Sequence, residues 1–185
     1  GMGDDLAFLK TATLEELMKI KGIGKVKAIQ LKAICELSIR LSRPIVSTGV
    51  LIKNTDQIAQ MVLGEFQYEK CELARLFLLN ARNRLLKIED IAFGGTSFVN
   101  LDIKSIISCV MRTGANRIVL VHNHPSGDST PSQADIHFTD KLYNMLNDFN
   151  IELLDHIIIG NLEYKSVFEY IRELCQKARS DANEN

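Results

Sequence analysis

ELARLFLLN, at positions 72–80, is a short and nearly continuous apolar run. A run of that length and composition is read as a strand buried on both faces, so the chain around it must supply covering helices. The residues that follow fit this demand. ARNR turns the chain into a second strand, LLKIEDIAF (85–93), and GGT (94–96) is read as a turn. Asp102 opens a helix, IKSIISCVMRT, which Gly114 closes as a C-cap. NRIVLVH is a β-branched strand. Thr130-Pro131 suits the N-cap and N1 positions of a helix reaching about Phe149. IELLDHIIIG is a further strand, EYKSV a short one and FEYIRELCQKA a final helix, with SDANEN as a frayed tail. The order β-β-α-β-α-β-β-α predicts an α/β fold of the α+β kind. Its mixed sheet is flanked by helices over residues 66–178, and 179–185 form the tail.

The first part of the chain reads differently. Thr13 and Glu16 form a capping box before a short helix, LEELMKI, and GIG (22–24) breaks it. A second helix, Lys25 to Leu41, carries Val26, Ile29, Ala33, Leu37 and Leu41 at helical spacing before Arg43-Pro44 ends it. Residues 1–43 are thus expected to be a small all-α module. Residues 44–65 are expected to be a linker with a short helix from Thr55 to about Val62, and the boundary falls near Pro44. Gly1 before Met2 reads as a cloning residue, so the native chain is expected to extend upstream.

Charge separates the same two parts. The net charge is −1, which offers no global basic field. Residues 1–43, however, hold eight Lys/Arg against five Asp/Glu, and five lysines with no acid lie from Lys19 to Lys32. The four cysteines (35, 71, 109 and 175) are far apart and form no C-x-x-C, so they are expected to be reduced and mostly buried. With no apolar stretch long enough to span a membrane and no signal pattern, the expected location is cytoplasmic.

The chemistry is concentrated in HNHPSGDSTPSQAD (122–135). Residues i and i+2 of a strand share a face, so His122 and His124 project together from a strand's C-terminal end. Ten residues rich in Pro, Gly, Ser and Thr then lead to Asp135, a loop able to return a carboxylate to two imidazoles. Two nitrogens, one oxygen and a fourth position left to water describe an open zinc site. Ser132-x-x-Asp135 is also a helix-capping box, and that reading competes for the same two side chains. A zinc deaminase would need H-x-E and P-C-x-x-C, which are absent. His156 reads as a core histidine and His137 as a helix-surface one.

His122-x-His124-Pro125 followed by Ser132-x-x-Asp135 resembles the signature of JAMM (MPN-type) zinc hydrolases. The fuller string, with LLDHIIIG at 153–160, resembles the bacterial RadC family, once described as DNA repair proteins. The resemblance implies a JAMM/MPN sheet with cytidine-deaminase-like layering. It also implies Zn2+ held by His122, His124 and Asp135, and hydrolysis of an amide or isopeptide bond in a peptide substrate. Glu72 would take the proton of the metal's water and pass it to the leaving amine, while Ser132 would donate to the oxyanion. Glu65, Glu69 and Glu89 compete with Glu72. RadC-like chains often have Asp where this one has Asn80, and Val-His-Pro-Arg where it has Leu101 to Lys104, so no substrate role is carried to those positions.

LMKIKGIGKVKA (17–28) resembles a helix-hairpin-helix motif. Gly22 and Gly24 would shape the turn and free backbone amides for a phosphate, with Lys25 and Lys27 adding charge. Double-stranded DNA, bound without regard to sequence, is the implied partner. A module that only packs on a neighbour would need the same glycines. Two alternatives to the hydrolase follow: a zinc-dependent nucleic-acid-processing enzyme, or a non-catalytic DNA-associated protein of DNA repair.

Overall fold

A computed structural model describes residues 8–9, 12–42, 48–66, 69, 71–93 and 101–183. The turn expected at 94–96, the boundary at Arg43-Pro44, the Gly1-Met2 start and the last two tail residues lie outside these. The chain divides into two compact units, Gly1–Ile45 and Val46–Asn185.

In the smaller unit, helix α1 (Leu14–Met18) begins at the expected capping box: Thr13 Oγ1 accepts from Glu16 N–H, and Glu16 Oε2 accepts from Thr13 N–H at 2.8 Å. Gly22, at φ +90°, makes the turn into α2 (Lys25–Ser42). The two helices meet over Leu17 and Ala28, with Leu9, Ile20, Ile23 and Leu31 around them. The apolar stripe read from the sequence is not the buried face. Val26 is 70% exposed and Leu37 56%, because the hairpin turns the Ala28–Leu31 side of α2 towards α1.

The larger unit is built on one five-stranded sheet in the order β2-β1-β3-β4-β5. Its elements are α3 (Thr55–Phe66), β1 (Leu73–Leu79), β2 (Leu85–Phe93), α4 (Ile103–Thr113), β3 (Arg117–Asn123), α5 (Gln133–Asn147), β4 (Glu152–Ile159), β5 (Tyr164–Ser166) and α6 (Val167–Asn183). Only β3 and β4 are parallel, so the sheet is mixed. Strands β1 and β3 are buried along both faces, as their largely apolar sequences require. One face carries Ala74, Leu76, Leu78, Ile118 and Leu120 against α4 and α5. The other carries Phe77, Leu79, Val119, Val121 and Ile157 against Ile58, Ala59, Val62 and Phe66 of α3.

Three expectations are corrected here. Residues 49–52, expected to be linker, bond by their backbone to 83–85, while the short helix expected from Thr55 is present as α3, runs on to Phe66 and covers a sheet face. Helix α5 is capped by Ser132 rather than Thr130, because Ser132 and Asp135 form a reciprocal box while Thr130 N–H turns to Asp128 Oδ1 at 2.8 Å. Helix α6 continues to Asn183, beyond the Ala178 at which the sequence reading ends it. Of the cysteines, Cys109 is buried, whereas Cys71 and Cys175 are exposed.

A buried cation lies on the α3 face. Arg75, 7% exposed, bonds Glu65 on α3 at 2.8 Å and Asp90 on β2, and its guanidinium lies 4.9 Å from the centre of the Phe66 ring. These partners tie α3, β1 and β2 together. Burial would lower the guanidinium pKa, but the two carboxylates more than reverse it. Removing one member of such a group leaves the rest buried and uncompensated. Arg75→Ala is expected to lower stability by roughly 3–5 kcal/mol, measured by urea denaturation.

Candidate metal centre

Strand β3 ends among three histidines and a carboxylate. The pleat sends His122 to the face covered by α5, and Asp135 stands in the first turn of that helix. His122, His124 and Asp135 each offer one ligand atom, and these atoms all lie within 4.8 Å of one another. Asp135 and His122 are wholly buried and His124 is partly exposed, so the cluster opens to solvent on the His124 side.

The capping box engages only one oxygen of Asp135, so it leaves the other open to a cation. Asp135 Oδ2 accepts from Ser132 N–H at 2.7 Å and from Ser132 Oγ–H at 2.6 Å. Asp135 Oδ1 is buried and accepts no hydrogen bond, facing His122 Nε2 at 3.4 Å. His124 Nδ1 lies 2.8 Å from the Asp128 carbonyl, which can only accept. That nitrogen therefore carries a proton, and Nε2 is the ring nitrogen turned towards Asp135 Oδ2, at 3.4 Å. A buried carboxylate oxygen without a donor costs free energy unless a cation satisfies it, so the donor set fits a metal ion.

The electrostatics agree. Burial pushes the Asp135 carboxyl upwards, but the imidazoles of His122 and His124 and the Ser132 hydroxyl together hold it well below the usual carboxylate range. It is thus ionised at neutral pH, as a ligand must be. Burial holds His122 below the ordinary histidine value, although Asp135 pulls the other way. His124 sits above that value, because its contact with Asp135 outweighs its lesser burial.

Glu72 immediately precedes β1, whose Ala74 is paired with His122. Partial burial raises its carboxyl above the ordinary value; the charge on His124 works against this and that on Asp135 adds to it. It does not belong to the three-residue cluster. Of its competitors, Glu65 is committed to Arg75, and Glu89 to Lys87 and Arg112. Asn80 lies at the opposite end of β1, where its Oδ1 accepts from Arg82 and Arg84 N–H to shape the hairpin turn. His137 is exposed on α5.

Residues that the sequence reading passes over hold the arrangement in place. Asn123 points away from its neighbouring histidines: its Oδ1 accepts from Leu73 N–H at 2.7 Å, and its Nδ2 donates to the carbonyls of Glu69 and Cys71. It thereby fixes the backbone on both sides of Glu72. His156, fully buried on β4, has its Nε2 2.8 Å from His122 Nδ1 and its Nδ1 2.6 Å from Thr139 Oγ1. Thr139 was findable, since it stands four residues after Asp135 on the same helix face. Beyond β4, Gly160 packs directly on the loop that follows His124, and Glu163 accepts from Ser129 Oγ–H at 2.8 Å.

In the hairpin, Gly22 takes the positive φ, and neither Gly22 nor Gly24 has a heavy atom within 4 Å of a would-be Cβ. Lys27 Nζ donates back to the Gly22 carbonyl at 3.1 Å. Lys25 is exposed at the first position of α2.

Residues 52–173 match the family model described as a RadC-like JAB domain, and residues 9–34 match the helix-hairpin-helix motif. A UPF0758 protein of Moorella thermoacetica is 41% identical over 90% of this chain and 72% of its own length. A UPF0758 protein of Staphylococcus carnosus is 38% identical, over 91% and 74%. One from Shewanella denitrificans is 32% identical, over 89% and 73%.

The fit at Gly160 is testable. A Cβ there would lie 2.5 Å from Gly127 O and 2.8 Å from Ser129 N, both backbone atoms, so the loop carrying Asp128 would have to move. Gly160→Ala is expected to destabilise the protein by about 1–3 kcal/mol in thermal denaturation, with a weaker metal complex in chelator competition.

Proposed function

We propose, on the premise that this chain belongs to the RadC-like JAB-domain family, that it is a zinc-dependent hydrolase of an amide or isopeptide bond. The observation that carries this reading is the buried Asp135 Oδ1, which accepts no hydrogen bond beside two imidazoles. His122, His124 and Asp135 would hold the ion. When bound, zinc supplies Lewis acidity, bringing the pKa of water towards neutrality and polarising a carbonyl.

The remaining work falls to the protein. Glu72, at the solvent side and with its carboxyl raised by partial burial, accepts the proton from the attacking water and returns it to the leaving amine. Ser132 is exposed, and its hydroxyl rests on Asp135 Oδ2. Rotating that hydroxyl towards a developing oxyanion leaves Oδ2 held by the Ser132 N–H, so the donation does not release the ligand. Asn123 keeps the Glu72 backbone in register with the two histidines throughout.

Protein purified without added zinc, or supplied with it afterwards, is expected to contain one zinc per chain by elemental analysis. Absence of metal in both would sink the reading. Glu72→Gln is expected to retain zinc yet lose turnover by about 100-fold or more, the usual scale for a general base. Loss of zinc in that variant would make Glu72 a ligand instead.

The hairpin supports a second, compatible role, in which Gly22 and Gly24 present backbone amides and Lys25 adds charge to a DNA phosphate. Lys27, bonded to the Gly22 carbonyl, both braces the turn and keeps its charge there. Weak duplex binding that falls as salt rises, and falls again in Lys25→Ala/Lys27→Ala, is expected in fluorescence anisotropy. Binding indifferent to salt and to both lysines would refute this role.

A further inference from the structure

Resting on the metal reading above, we infer that His156 and Thr139 are positioning residues that fix the tautomer and aim of His122. Thr139 Oγ1 lies 2.6 Å from the Asp135 backbone carbonyl, and a carbonyl can only accept, so the threonine's single proton is committed there. Thr139 Oγ1 lies equally close to His156 Nδ1, at 2.6 Å, and with its proton already given it can only accept from that nitrogen. His156 Nδ1 thus carries a proton. In a wholly buried site between sheet and helix a neutral imidazole is favoured, so His156 Nε2 bears a lone pair. That lone pair is 2.8 Å from His122 Nδ1, which must be the donor.

His122 therefore has its proton on Nδ1 and its lone pair on Nε2, the atom 3.4 Å from Asp135 Oδ1. The chain of bonds begins on the main chain of one candidate ligand and ends on the ring of another. It spans helix α5 and strands β4 and β3, so the aim of His122 depends on how those three elements pack. Nδ1 of His124 is fixed separately, by the loop carbonyl of Asp128. The two imidazoles are thus oriented by different parts of the fold, one by its core and one by its surface loop. Outer partners of this kind orient metal-binding histidines and raise their basicity.

The test compares two replacements of opposite character in the full chain. His156→Phe preserves apolar volume but offers no acceptor, whereas His156→Gln carries an acceptor for His122 Nδ1 and a donor for Thr139. Zinc affinity is measured by competition with a chromophoric chelator, alongside the melting temperature of the metal-free protein. His156→Phe is expected to bind zinc about 10–100-fold more weakly, with His156→Gln recovering most of the loss and Thr139→Val falling between. A packing role predicts the reverse order, with Phe tolerated and Gln not, and that result would overturn the inference.

Nitrogen-15 chemical shifts of metal-free wild type in alkaline buffer supply a check that needs no variant to fold. They are expected to show His122 protonated on Nδ1, and protonation on Nε2 would likewise overturn the inference. Wild type that binds no zinc at all would instead overturn the proposed function. Zinc bound equally well by wild type and a folded His156→Phe would overturn this inference alone.

Discussion

Placing the Asp135 carboxylate out of reach of water is the commitment on which the rest of the site depends. An ionised carboxylate in a protein interior must be compensated on every side. Here the compensation is divided: Ser132 takes one oxygen as part of a helix cap, and two imidazoles face the carboxylate where no donor is aimed at Oδ1. The location follows from topology. Strand β3 lies in the interior of the sheet, between β1 and β4, and the helix that follows it lies across the same face. Helix start and strand end are thereby brought together, and a short polar loop is enough to join them.

Much of this was legible in the sequence. Strand β2 and helix α4 occupy the residues that their apolar patterns and caps mark out, and the order of elements from β1 to α6 is the predicted one. The proximity of His122, His124 and Asp135 follows from two local rules, the two-residue repeat of a strand and the return of a loop onto a capped helix. Both operate over fewer than about five residues once the loop is crossed, which is why a single sequence can carry them.

What was not legible depends on contacts between distant segments. His156 reads as a core histidine, and so it is, but its bond to His122 arises from the parallel pairing of β3 with β4, where a register shift lies between Ile118 and Val119. Arg75 sits in an apolar strand with nothing nearby in sequence to announce Glu65 and Asp90 as partners. The stripe on α2 misled for a related reason. Helical spacing identifies an apolar face, but the turn at Gly22 decides which face meets α1, and that face carries Ala28.

The side chain of Asn123 has a consequence for fidelity of folding. Strand β3 uses alternate residues for different ends, sending His122 to one face and Asn123 to the other, where it grips the backbone on either side of Glu72. A slip of one residue would exchange those faces, turning the imidazole away from Asp135 and releasing the Glu72 segment in the same stroke. Mispaired molecules would therefore lose the His122 contacts and the Asn123 contacts together. Register and site are thus specified by one strand, His122 on one face and Asn123 on the other.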